Sequence, residues 1–334
     1  MSILEREGEI EFFVSQTYTL DDLHKVQAKS IEMYRKIAAV LDRHNIAYTL
    51  GYGSLLGQIR HSGYIPWDDD IDLFIMSRDY GRAILHLRRE LPGDLLLHNR
   101  RNDPVYWVTW VKVRDLSTFT LESMWKIDRK FKYHGVCIDL IRVVPTTAGK
   151  YRHGPRVKEL AASLEKSRDA HFALRGQQRL ADFPRFAAAE VKHRIQLGYH
   201  KLKRSQGKEK LLIAAPGTII ERSFRYDDMY PIRTDGPLFE GMQVNTPNNP
   251  EGVLRSMYGD FMSLPPLEDR QPHFESVEFF EEGDSPEGAL EPTAQDPDPS
   301  VALEEAGPDL AGADTGDEGL DVDGIGERAD GDDV

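Results

Sequence analysis

The chain of 334 residues holds a single cysteine, Cys137. One thiol excludes an internal disulfide and a cysteine-built zinc site, and it fits a reducing compartment. Within Val136-Cys137-Ile138 it reads as a small buried apolar residue rather than a reactive thiol. Long apolar runs are missing too, since none approaches the roughly eighteen residues that would span a bilayer. The opening stretch, Met1-Ser2-Ile3-Leu4-Glu5-Arg6-Glu7, lacks the apolar centre of a secretory signal. These absences predict a soluble, cytoplasmic chain, free or peripheral at the inner face of a membrane. Basic residues are scarce at the end of the chain, where residues 276–334 hold 20 Asp and Glu against Arg328 alone. From Gly283 onward aromatics are almost absent as well. That stretch cannot bury enough surface to offset its ordering entropy and is expected to be a disordered acidic tail, 283–334. The formal net charge of −14 therefore describes the tail, because residues 1–275 carry 41 Lys and Arg against 36 Asp and Glu.

What the sequence does contain is a patterned body. Leu23, Val26, Tyr34, Ile37 and Leu41 recur at spacings near 3.6, which predicts an amphipathic helix with Asp21 or Asp22 as its N-cap and an end near His44-Asn45. Ile46 to Leu50 reads as a short strand leading into a glycine turn, Gly51-Tyr52-Gly53-Ser54. The run Asp70-Ile71-Asp72-Leu73-Phe74-Ile75 alternates, so as a strand it sets Asp70 and Asp72 side by side on one face. Asp69 falls on the other face and is expected to be solvated. Two further strands are predicted over Tyr106–Val113 and Val136–Ile141. Residues 150–210 read as a helical insert with 16 Lys and Arg against 6 Asp and Glu, and a short helix follows near Glu251–Tyr258. Strands interspersed with helices predict an α+β body with a mixed sheet flanked by helices.

The chemistry concentrates between Gly53 and Leu73, where a Gly-Ser step precedes four carboxylates, Asp68, Asp69, Asp70 and Asp72. Phosphoryl transfer depends on holding the phosphate in line and neutralising developing charge, which two divalent ions about 4 Å apart can do. The protein must then supply adjacent carboxylates, here Asp70 and Asp72, and a third from a neighbouring strand, for which Asp139 is the polar residue inside an apolar run. Asp68 is a further candidate ligand. Gly53 would let the backbone approach a phosphate, with the Ser54 hydroxyl and N–H as donors.

Gly53-Ser54-Leu55-Leu56-Gly57, Ile59-Arg60-His61, Gly63 and Ile65-Pro66-Trp67-Asp68-Asp69-Asp70-Ile71-Asp72 resemble the signature of the LicD family, in the fukutin-like branch of the nucleotidyltransferase fold. Lys112-Val113-Arg114-Asp115, Gly135-Val136-Cys137-Ile138-Asp139-Leu140 and Tyr258-Gly259-Asp260-Phe261-Met262-Ser263-Leu264-Pro265-Pro266 resemble later family blocks in the same order. The resemblance implies a LicD-type domain over 1–282, with the basic insert at about 150–210. It also implies transfer of a phospho-substituent such as phosphocholine or ribitol phosphate from a CDP-linked donor to a glycan or glycolipid hydroxyl, with CMP leaving. Asp70, Asp72 and Asp139 carry over as ligands of Mg²⁺ or Mn²⁺, Gly53 and Ser54 as phosphate contacts, and Arg60, Lys112 and Arg114 as offsets to phosphate charge. No nucleic-acid partner is implied. Two departures are visible: Ser54 stands where the family commonly has Thr, and Leu140-Ile141-Arg142 follows Asp139 where Ile-Phe-Pro is common.

Other readings explain less. A nucleotidyltransferase using CTP or another NTP would need the same acids, and a catalytically inactive glycan-binding relative would not need them. A glycosyltransferase using only Asp68-x-Asp70 leaves the Gly-Ser step and Asp139 unexplained. A calcium loop running from Asp68 to Asp79 has Leu73 where its sharp turn requires glycine. The basic insert has two readings, solvated helix faces or a dock for an anionic membrane or polymer.

Overall fold

The computed structural model describes residues 2–15, 17–106, 108–122, 128–147, 154–174, 176–202 and 210–280. The acidic tail and the ends of the basic insert fall outside these residues. In chain order the elements are β1 (Ser2–Glu7), β2 (Ile10–Ser15), α1 (Leu20–Arg43), β3 (Tyr48–Leu50), α2 (Tyr52–His61), β4 (Ile71–Met76), α3 (Ser77–Glu90), β5 (Leu95–His98), β6 (Val111–Asp115), β7 (Thr118–Glu122) and β8 (Cys137–Thr147). They continue with α4 (Gly154–Ala173), α5 (Gly176–Leu202), β9 (Lys210–Ala214), β10 (Arg222–Arg225), α6 (Tyr226–Met229), α7 (Pro250–Tyr258) and β11 (Phe274–Phe279).

The central sheet is mixed, as the alternation of strands and helices predicts. Its spine is β3-β4-β8, and β8 is long enough to carry two neighbours on its far side. Cys137–Leu140 pair antiparallel with β6, which continues to β5, while Val143–Thr147 pair with β9, which continues to β10. β4 and β8 run parallel. Ile71, Leu73 and Ile75 on one face of β4 are buried, and so are Phe74 and Met76 on the other, so helices or loops cover both faces.

Helix α1 forms where its apolar period predicts, but its cap differs. Thr19, not Asp21 or Asp22, is the N-cap. Its hydroxyl accepts from the Asp22 N–H at 3.1 Å, and the Asp22 carboxylate accepts from the Thr19 N–H at 2.9 Å, a reciprocal box. The expected strand over Tyr106–Val113 begins only at Val111, and the Tyr106 hydroxyl outside it donates to the Trp110 carbonyl at 3.0 Å.

A larger correction concerns Gly53-Ser54, which is not a turn between elements. Both lie in the first turn of α2, whose N-cap is Gly51. Glycine and serine are weak helix formers, so packing rather than propensity makes this helix. A Cβ on Gly57 would sit 2.4 Å from the Gly63 carbonyl oxygen, and one on Gly53 would sit 2.5 Å from Asp68 Oδ2. The glycines let α2 lie directly against the acidic loop.

Candidate functional site

Strand register builds the centre. Asp72 on β4 pairs with Asp139 on β8, and Asp139 pairs with Lys112 on β6, so three consecutive strands present these side chains in one row on one face. Asp70, two residues before Asp72, joins the same face. Carboxylate oxygens of Asp70, Asp72 and Asp139 all lie within 4.8 Å of one another. They open into a cleft of about 640 Å³, floored by the acids and walled by Tyr52, Trp67, Trp110, Tyr258 and Phe274.

Helix α2 fixes the height of β4 in that row. The Gly51 N–H donates to the Asp72 carbonyl at 2.8 Å, and the Asp72 N–H donates to Ser54 Oγ at 2.8 Å. Ser54 is 1% exposed and does not line the cleft. The expected phosphate contact is therefore replaced by a positioning role, since its hydroxyl holds the backbone of an acid. Gly53 does line the cleft, consistent with a close backbone approach.

Asp139 is held on both oxygens. Trp110 Nε1 donates to Oδ2 at 2.8 Å, and Lys112 Nζ lies 3.0 Å from Oδ1 and 3.2 Å from Glu122 Oε1. Lys112 thus faces the cleft, but as a partner of two carboxylates. Arg114 is the second correction. It is fully buried outside the cleft lining, donating to His98 Nδ1 (3.0 Å), the Gly135 carbonyl (3.1 Å) and Glu122 (3.2 Å). It anchors Glu122 and touches no cleft surface.

Arg60 reaches the cleft from the last turn of α2. Its Nη1 donates to the carbonyls of Phe261 (2.9 Å) and Ser263 (3.3 Å), while its Nη2 is buried with no hydrogen-bond partner. An orphaned guanidinium nitrogen at a cleft wall suits a charged oxygen of a ligand.

The acids do not ionise alike. Burial, then repulsion from neighbouring carboxylates, pushes Asp70 and Asp72 well above the ordinary range. Burial also raises Asp139, against the pull of Lys112, and raises Asp68 to about 6, against the pull of His273. Glu122 is opposite: burial pushes it up, but Lys112 and Arg114 together hold it down at about 2. Burial raises the Cys137 thiol well above its usual value, which agrees with an unreactive residue.

His273 and Asp69 were not legible as a pair. Asp69 is buried, not solvated. Its Oδ1 accepts from the His273 N–H at 2.9 Å, and the His273 ring Nδ1 lies 3.3 Å from the same oxygen and 3.8 Å from Asp68 Oδ1. These carboxylates hold the imidazole pKa well above its ordinary value despite burial. Nothing local marks residues 204 positions apart as neighbours. A third cluster, His44, His86 and Glu90, lies at the other end of β4 by the β3–β4 register. Its two imidazoles stack face to face at 3.5 Å, so their in-plane lone pairs do not converge, and Glu90 is also paired with Arg43. It joins α1 to α3.

Residues 45–134 match the family described as LicD/FKTN/FKRP, nucleotidyltransferase domain. The chain is 28% identical over 266 residues to the lipopolysaccharide cholinephosphotransferase LicD of Haemophilus influenzae, covering 70% of this chain and 89% of that protein. It is also 46% identical over 52 residues to the ribitol 5-phosphate transferase FKRP of Homo sapiens and of Mus musculus, covering 16% of this chain and 10% of each of those proteins. The Gly-Ser step, the acidic loop and β4 lie inside the segment similar to the LicD/FKTN/FKRP family, and strand register sets Asp139 beside it.

Proposed function

We propose that this chain is a LicD-like phosphotransferase that moves a phospho-substituent from a CDP-linked donor to a sugar hydroxyl of a glycan or glycolipid. The single observation that carries the reading is the in-register Asp72–Asp139 pair with Asp70 beside it, in a chain that spans 89% of a lipopolysaccharide cholinephosphotransferase. In the reaction the acceptor oxygen bonds to the donor's distal phosphorus, the P–O bond to the CMP phosphate breaks, the hydroxyl proton is released, and CMP departs.

The residues fit a divalent cation. Three carboxylate oxygens form a hard, oxygen-only donor set within 4.8 Å, and Lys112 on Asp139 is the cation paired with them among the described residues. Asp70, Asp72 and Asp139 would hold Mg²⁺ or Mn²⁺, with Asp68 beside them, and the bound ions would supply charge neutralisation on the diphosphate. The protein's own part is positional. Ser54 sets Asp72, Trp110 and Lys112 set Asp139, and Arg60 offers an unpaired N–H to a donor oxygen. Apolar and aromatic walls would shield the transferred group from water.

The test is to incubate the protein with Mg²⁺ or Mn²⁺ and CDP-choline, CDP-ribitol, CDP-glycerol or CTP, with and without glycan acceptors, and to measure CMP and pyrophosphate. CMP release that depends on acceptor supports the proposal. Release of CMP from none of the CDP donors defeats it, and pyrophosphate from CTP would instead assign nucleotidyl transfer.

A further inference from the structure

The basic insert is two helices packed on each other. His171 of α4 stacks on Phe186 of α5 with centroids 4.3 Å apart and faces Asp182 at 2.8 Å, and Arg168 Nη2 donates to Glu190 at 2.9 Å. These contacts define the inner face of α5 as the one carrying Asp182, Phe186 and Glu190, with Phe183 at its border, its ring centroid 6.4 Å from that of His171. The outer face is apolar. Leu180, Phe183, Val191 and Ile195 are 76%, 57%, 56% and 68% exposed, and Ala187 and Ala188 lie between them. Spacings of three, four and eight put the four large residues on one stripe of the helix. Four of the ten large apolar side chains most exposed in the described structure therefore sit on this single stripe. Scattered apolar exposure is ordinary, whereas a contiguous stripe marks a surface that another phase or molecule covers.

Charge selects the occupant. Arg185 and Lys192, both exposed, lie along one edge of the stripe, and residues 150–210 hold 16 Lys and Arg against 6 Asp and Glu. An apolar stripe bordered by cations is the pattern of a helix lying in the plane of an anionic bilayer, with its apolar side chains below the headgroups and its cations beside lipid phosphates. A soluble anionic polymer would use the cations and leave the stripe in water. A second copy of this chain would meet the same positive charges and be repelled. No helix among the described residues is long and apolar enough to cross a membrane, so the contact would be peripheral. We infer that α5 docks the protein on an anionic lipid surface through Leu180, Phe183, Val191 and Ile195, with Arg185 and Lys192 on lipid phosphates. The inference stands on the helix face alone and does not depend on the transfer reaction.

Flotation of the full chain with vesicles tests it. The protein should float with equimolar phosphatidylglycerol and phosphatidylcholine, and poorly with phosphatidylcholine alone. The quadruple variant L180S, F183S, V191S and I195S, checked for an unchanged circular dichroism spectrum and melting midpoint, should lose roughly tenfold or more in vesicle partitioning. The pair R185Q and K192Q should weaken binding and flatten its salt dependence. Three results overturn the inference. One is failure of the parent chain to float with anionic vesicles. Another is undiminished flotation of the folded quadruple variant. The last is a parent dimer in light scattering that the quadruple variant converts to monomer, which would assign the stripe to a second copy.

Discussion

At the residue scale the site is a set of acids in which each has a different support. Asp72 is held through its backbone, Asp139 through both carboxylate oxygens, and Asp69 through His273. Removing one of these carboxylate charges should therefore separate activity from stability. Asp70→Asn and Asp72→Asn should each lower the transfer rate by about 10³-fold. Because burial and mutual repulsion already disfavour their ionised forms, the same changes should raise the melting midpoint in EDTA by about 2–4 °C. Calorimetry with and without chelator, beside the CMP assay, measures both. Ser54→Ala strips the acceptor from a buried N–H and should cost about 1–3 kcal/mol in urea unfolding, with a fall in turnover, whereas Ser54→Thr keeps the oxygen and should recover most of both. The acids were legible because carboxylates massed beside an apolar strand are unusual in themselves. The contacts of Ser54 and Arg114 were not, because which way a hydroxyl or guanidinium turns is decided by neighbours from other elements.

At the element scale, periodicity was the reliable guide. The apolar spacing of α1 and the alternation of β4 both became what they predict, since each pattern has one way to bury its face. Gly53-Ser54 misled because its residues favour turns in isolation, yet α2 forms over them by close packing against the 62–70 loop. A test follows from that packing. Alanine at an ordinary helical glycine stabilises by up to about 1 kcal/mol, but Gly57→Ala should destabilise by about 1–3 kcal/mol, because its Cβ meets a backbone oxygen that cannot swing away. Urea midpoints measured beside Gly81→Ala, where a Cβ meets nothing within 4 Å, should move in opposite directions.

At the scale of the whole molecule, the raised carboxylates link folding to pH, and through the proposed cation site to Mg²⁺. Asp68, moved by burial from 3.8 to about 6, keeps in the folded protein a proton that the unfolded chain has released. The stability this contributes is present below about pH 4 and lost as pH rises through about 6. Glu122, held at about 2, contributes in the other sense: its stability is present above its ordinary value and lost as pH falls towards 2. Without a divalent cation, the melting midpoint should fall between about pH 5 and pH 7.5, the window in which Glu122 stays ionised while Asp68 loses its proton. Mg²⁺ should stabilise more at the higher pH, by about 2.7 kcal/mol at a hundredfold excess over Kd, and scanning fluorimetry with and without Mg²⁺ at both pH values checks this. The sequence by itself determined the class of fold, the positions of the helices and strands that carry a strong period, and the identity of Asp70, Asp72 and Asp139 as the acids to watch, because period and charge density are local properties of a chain. Only the tertiary structure decided that β4 and β8 run parallel in the register that sets Asp72 against Asp139, that Lys112 rather than Arg114 reaches the cleft, and that His273 closes on Asp69. Register and long-range contact are set by which buried faces fit together, and no single segment carries that fit.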